Sequence, residues 1–142
     1  MAIEATKLAL RVATPLGMQL DLEVESVQLP GVEGEFGVLP GHVPLLAALK
    51  AGVLKYRASG GQLEIAAVGS GFAEADASKV RVISEYFQTP KDVDVEAARA
   101  DLARAEEKLK TTTAQLGEPE QTDAQGDLDW ARARLEVAGG VQ

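Results

Sequence analysis

Leu29-Pro30-Gly31-Val32-Glu33-Gly34-Glu35-Phe36-Gly37-Val38-Leu39-Pro40-Gly41-His42-Val43-Pro44-Leu45-Leu46 is the stretch from which the fold is read. Four glycines (Gly31, Gly34, Gly37, Gly41) and three prolines (Pro30, Pro40, Pro44) interrupt it. Proline fixes φ and removes a donor, and glycine permits positive φ and close backbone approach. A helix is excluded, and any strand here is limited to about four or five residues. Yet Val32, Phe36, Val38, Leu39, Val43, Leu45 and Leu46 are apolar, so the stretch is not a solvated linker. It reads as tight corners pressed onto a core. Such a constrained loop either holds a shape that a partner reads or is a buried crossover between two sheets.

Outward from it lie period-2 patterns. Leu8, Leu10 and Val12 alternate with Ala9 and Arg11. After the turn Thr14-Pro15-Leu16-Gly17, Met18, Leu20, Leu22 and Val24 are expected to face inward, with Gln19, Asp21, Glu23 and Glu25 in water. The phase slips at Glu25-Ser26, which calls for a bulge or a change of sheet. Ala58-Ser59-Gly60-Gly61-Gln62 and Asp76-Ala77-Ser78-Lys79 are flanked by apolar runs and predict hairpins. Gly69-Ser70-Gly71 lies between strands, so it reads as a bulge or close backbone approach and not as a phosphate loop.

After Pro90 the texture becomes helical. Val95, Ala98, Leu102, Ala105 and Leu109 share one face, and Asp92 or Asp94 is placed to cap the helix. Gly117, Pro119 and Gly126 predict a long polar loop over residues 111–126. A second helix of roughly a dozen residues is then expected from Asp127 or Asp129 to Gly139-Gly140, with Leu128, Ala131, Leu135 and Ala138 as its stripe. The fold class is an N-terminal antiparallel β-sandwich or barrel over residues 1–88, followed by a C-terminal antiparallel two-helix hairpin over 89–142. The alanine-rich stripe predicts a weakly docked, mobile hairpin.

The net charge is −8, and residues 91–142 carry seven Lys/Arg against twelve Asp/Glu. No basic field exists for nucleic acid. The chain has no cysteine, which excludes disulfides and thiolate-ligated zinc. No run of about eighteen apolar residues occurs, so no membrane-spanning helix is expected, and the first residues lack the pattern of a signal peptide. His42 is the only histidine. Alone it builds neither a metal site nor an acid–base pair, and it reads as an imidazole bonded to loop carbonyls. No catalytic residues and no cofactor are expected.

The quoted stretch, followed by Leu49-Lys50 and Gly52-Val53, closely resembles the epsilon subunit of the rotary F-type ATP synthase (the delta subunit in mitochondrial naming). The resemblance continues through Ala67-Val68-Gly69-Ser70-Gly71-Phe72-Ala73-Glu74, and more weakly through Val93-Asp94-Val95 and Leu128-Asp129-Trp130-Ala131-Arg132-Ala133. It implies a non-catalytic central-stalk subunit on the cytoplasmic face of a bacterial inner membrane. Such a subunit binds the gamma subunit and the ring of membrane c-subunits without inserting into the bilayer. The resemblance further implies partner contacts at Glu33, Glu35, Phe36 and His42, with Glu35 against the ring's polar loops.

Arg132 and Arg134 of the second helix are implied to face the alpha/beta catalytic subunits when the hairpin brakes hydrolysis. A brake is expected to be weak, from the short helix, the net charge of −5 after residue 90 and the long loop. Some relatives bind ATP through an Ile/Leu-Asp-x-x-Arg-Ala motif on the first helix, which makes an ATP-sensing module the alternative reading. Here Val93-Asp94-Val95-Glu96-Ala97-Ala98 puts Ala97 where arginine stands, and Arg99 points about 200° away. Asp94 and Arg104 remain as candidates.

Overall fold

The structure is a computed structural model that describes residues 7–111 and 119–139. Its strands are β1 (Leu8–Thr14), β2 (Gly17–Gly31), β3 (Gly34–Val38), β4 (Leu45–Leu49), β5 (Gly52–Ala58), β6 (Leu63–Val68), β7 (Gly71–Ala75), β8 (Lys79–Ser84) and β9 (Phe87–Gln88). A 3-10 turn (Pro90–Asp92) leads to helices α1 (Val95–Thr111) and α2 (Pro119–Ala138). This is the expected β-sandwich followed by two helices.

Strands β1, β8, β7, β4 and β2 pair in that order, and β2 pairs back to β1, so this part of the sheet closes on itself. The closure is narrowest between β4 and β2, which pair at Gly31 and Leu49. Strand β2 also carries β3 and the extension β5-β6-β9. All pairings among the described residues are antiparallel except β1 with β8. The anticipated phase slip is present: the β2–β5 register shifts between Val24 and Ser26. That lets one fifteen-residue strand serve both layers.

The interior is aliphatic. Leu8, Leu10, Val12, Val24, Val27, Leu29, Val38, Leu54, Val68, Val80 and Val82 are buried in one cluster. Each large aliphatic side chain buried there contributes about 1.5–3 kcal/mol relative to exposure. The quoted stretch contains the five-residue β3 and the start of the five-residue β4, but the expected limit fails at its first residues, where the fifteen-residue β2 runs on through Pro30 to Gly31. Gly34 turns the β2–β3 hairpin at φ 133°, a left-handed value that only glycine adopts without strain. Gly71 shows the anticipated close approach, because a Cβ there would lie 1.9 Å from the carbonyl oxygen of Ile83.

The structure corrects the sequence reading at two places. Met18 faces outward: the β1–β2 register skips Gln19, pairing Val12 with Leu20 but Ala13 with Met18, and this bulge inverts the phase. Helix α2 begins at Pro119, not at Asp127 or Asp129, and runs for twenty residues. Pro119 is the first described residue of the helix, and a proline in a first turn costs no intrahelical hydrogen bond. Gly126 lies inside the helix at a cost of about 1 kcal/mol, too little to end it. The loop expected over residues 111–126 is therefore helical from Pro119 onward, and residues 112–118 lie outside the described residues.

The helices form an antiparallel pair, with α2 between α1 and the sheet. Asp94 caps α1, its Oδ1 accepting the Ala97 N–H at 3.1 Å. Asp92 Oδ2 accepts from the N–H and hydroxyl of Thr89, fixing the preceding turn. On α1 the expected stripe faces inward, with Ala98 and Ala105 buried. Helix α2 buries more than its expected stripe. Ala124, Leu128 and Ala131 lie on one side, while Ala133 and Val137, with Trp130, pack on Val53, Ile65 and Ala67 of β5 and β6.

Candidate functional site

Two neighbouring features of the sandwich offer a binding surface. The first is its outer face. Inward residues of β1, β7 and β8 are mostly buried and those of β4 are buried or half-buried, so their alternates point to water. Partner by partner, Ala48 of β4 lies opposite Phe72 of β7, Phe72 opposite Ile83 of β8, Ile83 beside Ala13 of β1, and Ala13 opposite Met18 of β2. At about 4.8 Å per strand this apolar row spans roughly 19 Å. Met18, Phe72 and Ile83 are 58%, 57% and 55% exposed, far more than sheet positions with a packed neighbour. The adjacent row starts at exposed Leu46 and is charged from there on: Glu74, Arg81, Arg11 and Asp21 follow one another across the same strands. Within it Arg81 approaches Glu74 at 3.8 Å and Arg11 approaches Asp21 at 3.4 Å. An apolar strip bordered by charges is a partner-binding surface by its chemistry.

The second feature is the β2–β3 tip. Val32 donates its N–H to Ala48 O at 3.0 Å, which places the tip at the end of the apolar row. Glu33 and Glu35 are exposed there, and Glu35 is 3.9 Å from Lys55 Nζ. Phe36, the third expected contact residue on this hairpin, is half-buried against the core. His42 is not part of this group. It lies beyond the far end of β3, in the loop before β4, where its Nδ1 meets the carbonyl of Val43 and the loop's Gly41 N–H donates to Ala77 O. The loop-carbonyl reading of His42 is the one observed. Near that far end the Asp76 carboxyl is held below the usual carboxylate range, chiefly by the Ser78 N–H, which donates to it.

The remaining expected residues are on the helices. Arg132 is exposed, whereas Arg134 is buried and its Nη2 donates to Asp101 Oδ2 at 2.7 Å. Two residues apart on a helix, they point about 200° apart and do not form one cationic pair. Asp94 is occupied as a helix cap, and Arg104 is ion-paired to Asp101. Ten residues of helix separate these two ATP candidates by about 15 Å, so they do not converge.

Sequence reading missed Met18, Phe72 and Ile83. The consecutive apolar pair Val82-Ile83 was a usable signal, since one of two neighbours in a strand must face outward. It also missed the helical cover on β6. The unbroken run Ile65-Ala66-Ala67-Val68 marks a strand buried on both faces.

The chain matches two family models: the beta-sandwich domain of the ATP synthase delta/epsilon chain over residues 7–90, and that family's long alpha-helix domain over residues 91–139. Among relatives, the ATP synthase epsilon chain of Synechococcus sp. (strain WH7803) is 41% identical over 131 residues, covering 92% of this chain and 96% of the relative. The ATP synthase epsilon chain of Nitratidesulfovibrio vulgaris (strain DP4) is 41% identical over 135 residues, covering 94% and 97%. Among solved structures, a chain of the Euglena gracilis mitochondrial ATP synthase, in its OSCP/F1/c-ring assembly, superposes with a TM-score of 0.79. It is 22% identical, and the match covers 96% of this chain and 84% of that one, so it supports the fold.

Proposed function

The chain belongs to the ATP synthase delta/epsilon chain family, and from that premise we propose that it is a non-catalytic rotor subunit of the central stalk. In this reading the outer face of the sandwich grips the gamma subunit. The β2–β3 tip, with Glu33, Glu35 and Phe36, seats the assembly on the polar loops of the c-ring. Torque then passes between proton flow and nucleotide chemistry that other subunits perform, at the cytoplasmic side of a bacterial inner membrane. The observation that carries the reading is the apolar row from Ala48 to Met18, which this chain leaves uncovered. Burying a large aliphatic or aromatic side chain contributes about 1.5–3 kcal/mol. Three such residues are enough for a specific contact once a partner covers them.

The hairpin is read as a weak brake on hydrolysis through alpha/beta contacts. At about 1.5 Å per residue, twenty residues of α2 extend about 30 Å, so short reach does not support weakness. The charge of residues 91–142 and the burial of Arg134 do support it, because they leave Arg132 as the exposed cation of that pair. Deleting residues 91–142 should change steady-state ATP hydrolysis by less than about threefold.

Co-expression with a gamma subunit and a c-ring tests the reading. The unaltered chain should co-purify with both. Phe72→Asp should stay folded and reduce gamma capture at least about tenfold, whereas Leu63→Asp, elsewhere on the surface, should not. Full capture by Phe72→Asp would remove the outer face as the gamma contact.

A further inference from the structure

The two helices are joined to the sandwich through a chain of four side chains from three layers. Tyr86, following β8, stacks on Trp130 of α2 with ring centroids 5.0 Å apart and planes at 24°. The Arg134 guanidinium carbon lies 5.3 Å from the centre of the Trp130 ring, one turn along the same helix. Arg134 reaches on to Asp101 of α1, whose other carboxylate oxygen takes Arg104.

Each member is positioned by its surroundings. The buried Ser84 hydroxyl accepts from the Gly69 N–H at 2.9 Å and lies 2.7 Å from Tyr86 O, which pins the Tyr86 backbone. Gly69 makes room for the ring, since a Cβ there would come within 2.9 Å of Tyr86 Cδ2. Arg134 is buried with its Nε unpartnered among the described residues, so its burial is offset by Asp101 and the indole face. A buried ion pair of this kind adds little net stability but penalises any register that breaks it. The rest of the α2–sheet contact is small, with Val53, Ala67, Ala133 and Val137 as its buried members.

We propose that Tyr86, Trp130, Arg134 and Asp101 form a latch that locks α1 and α2 to the sandwich as one unit, with Trp130 as the link between sandwich and hairpin. Releasing Trp130 from Tyr86 frees both helices together. Releasing Arg134 from Asp101 loosens α1 on α2. The latch belongs to the isolated chain and operates whether or not the sandwich docks on a rotor.

Hydrogen exchange followed by mass spectrometry on the full chain tests it, with fluorescence of Trp130, the sole tryptophan, as a second readout. Tyr86→Ala should raise exchange in both helices by about tenfold or more and shift Trp130 emission to the red, with β1–β8 unchanged. Gly69→Ala, which displaces the Tyr86 ring, should act in the same direction. Asp101→Arg should raise exchange in α1 more than in α2, and the charge-exchanged pair Asp101→Arg/Arg134→Asp should recover protection. Trp130→Phe, which keeps a ring against Tyr86, should remain near the unaltered chain. Unchanged helical exchange in Tyr86→Ala, or an equal rise throughout the sandwich, would overturn the latch. So would failure of the charge-exchanged pair to recover any protection.

Discussion

Leu10, Leu29 and Leu54 sit among valines from both layers of the sandwich in one continuous apolar interior, while the hairpin meets the sheet through Ala133, Val137 and an aromatic stack, and an ion pair joins its two helices. The first region is held by area removed from water, distributed over eight strands. The second depends on a few geometrically exacting contacts. Distributed burial makes a unit that opens all at once, and sparse contacts make one that opens by itself. The proposed stalk role would use both, a rigid sandwich to transmit torque and an appendage that opens without unfolding it.

The comparison is tested most severely by matched leucines. Leu54→Ala, in the sandwich interior, should cost about 2–5 kcal/mol of global stability in urea unfolding. Leu128→Ala, between the helices, should loosen the hairpin and leave the sandwich midpoint nearly unchanged. Equal shifts would mean a single cooperative unit.

Next in size is the tip. Gly34→Val forces a β-branched residue to φ 133° and should cost about 1–3 kcal/mol while the sandwich still folds. Glu35→Lys should leave stability unchanged, because its carboxylate is exposed and its contact with Lys55 is 3.9 Å. Both should weaken proton-coupled ATP synthesis in vesicles. Full synthesis by both would make the tip purely architectural.

A smaller effect is expected on α1. With Asp94 and Arg104 about 15 Å apart, calorimetry with Mg-ATP should detect no site tighter than about 1 mM. Micromolar binding would favour the ATP-sensing alternative.

The smallest concerns acid. The Asp76 carboxyl is held below its ordinary value of 3.8, first by the Ser78 N–H and then by Lys79. A depressed folded-state value means that the group stabilises above its unfolded value, and that this contribution is lost as pH falls through the folded one. The stability gap between the unaltered chain and Asp76→Ala should be constant from neutral pH down to about 5 and close below about pH 4. A gap that widens in acid would reverse the assignment.

The same contrast explains what the sequence disclosed. Strands of the sandwich were legible because each has one buried face, so Leu8-Leu10-Val12 and the Val24/Ser26 slip appear directly as period and phase. Met18 was not, since skipping Gln19 leaves no mark in composition, only in register. Helix α2 was misplaced because Pro119 and Gly126 both break helices on average, yet a first-turn proline and a tolerated interior glycine do not. The tip carboxylates of the candidate site were legible in the quoted stretch. The outer row was not, because Ala48, Phe72, Ile83, Ala13 and Met18 come from five strands and become neighbours only through cross-strand pairing. Arg134 reads as a surface cation until Asp101, thirty-three residues away, is placed against it.

The separability of grip and appendage is tested most directly by a chain ending at Thr89. Circular dichroism should show a folded β domain, somewhat less stable because Val53, Ile65 and Ala67 lose the cover of α2. Its affinity for a gamma subunit should stay within about threefold of the full chain, a difference below about 0.7 kcal/mol. A folded truncation that loses gamma binding by a hundredfold would contradict the account and move the grip from the sandwich to the helices.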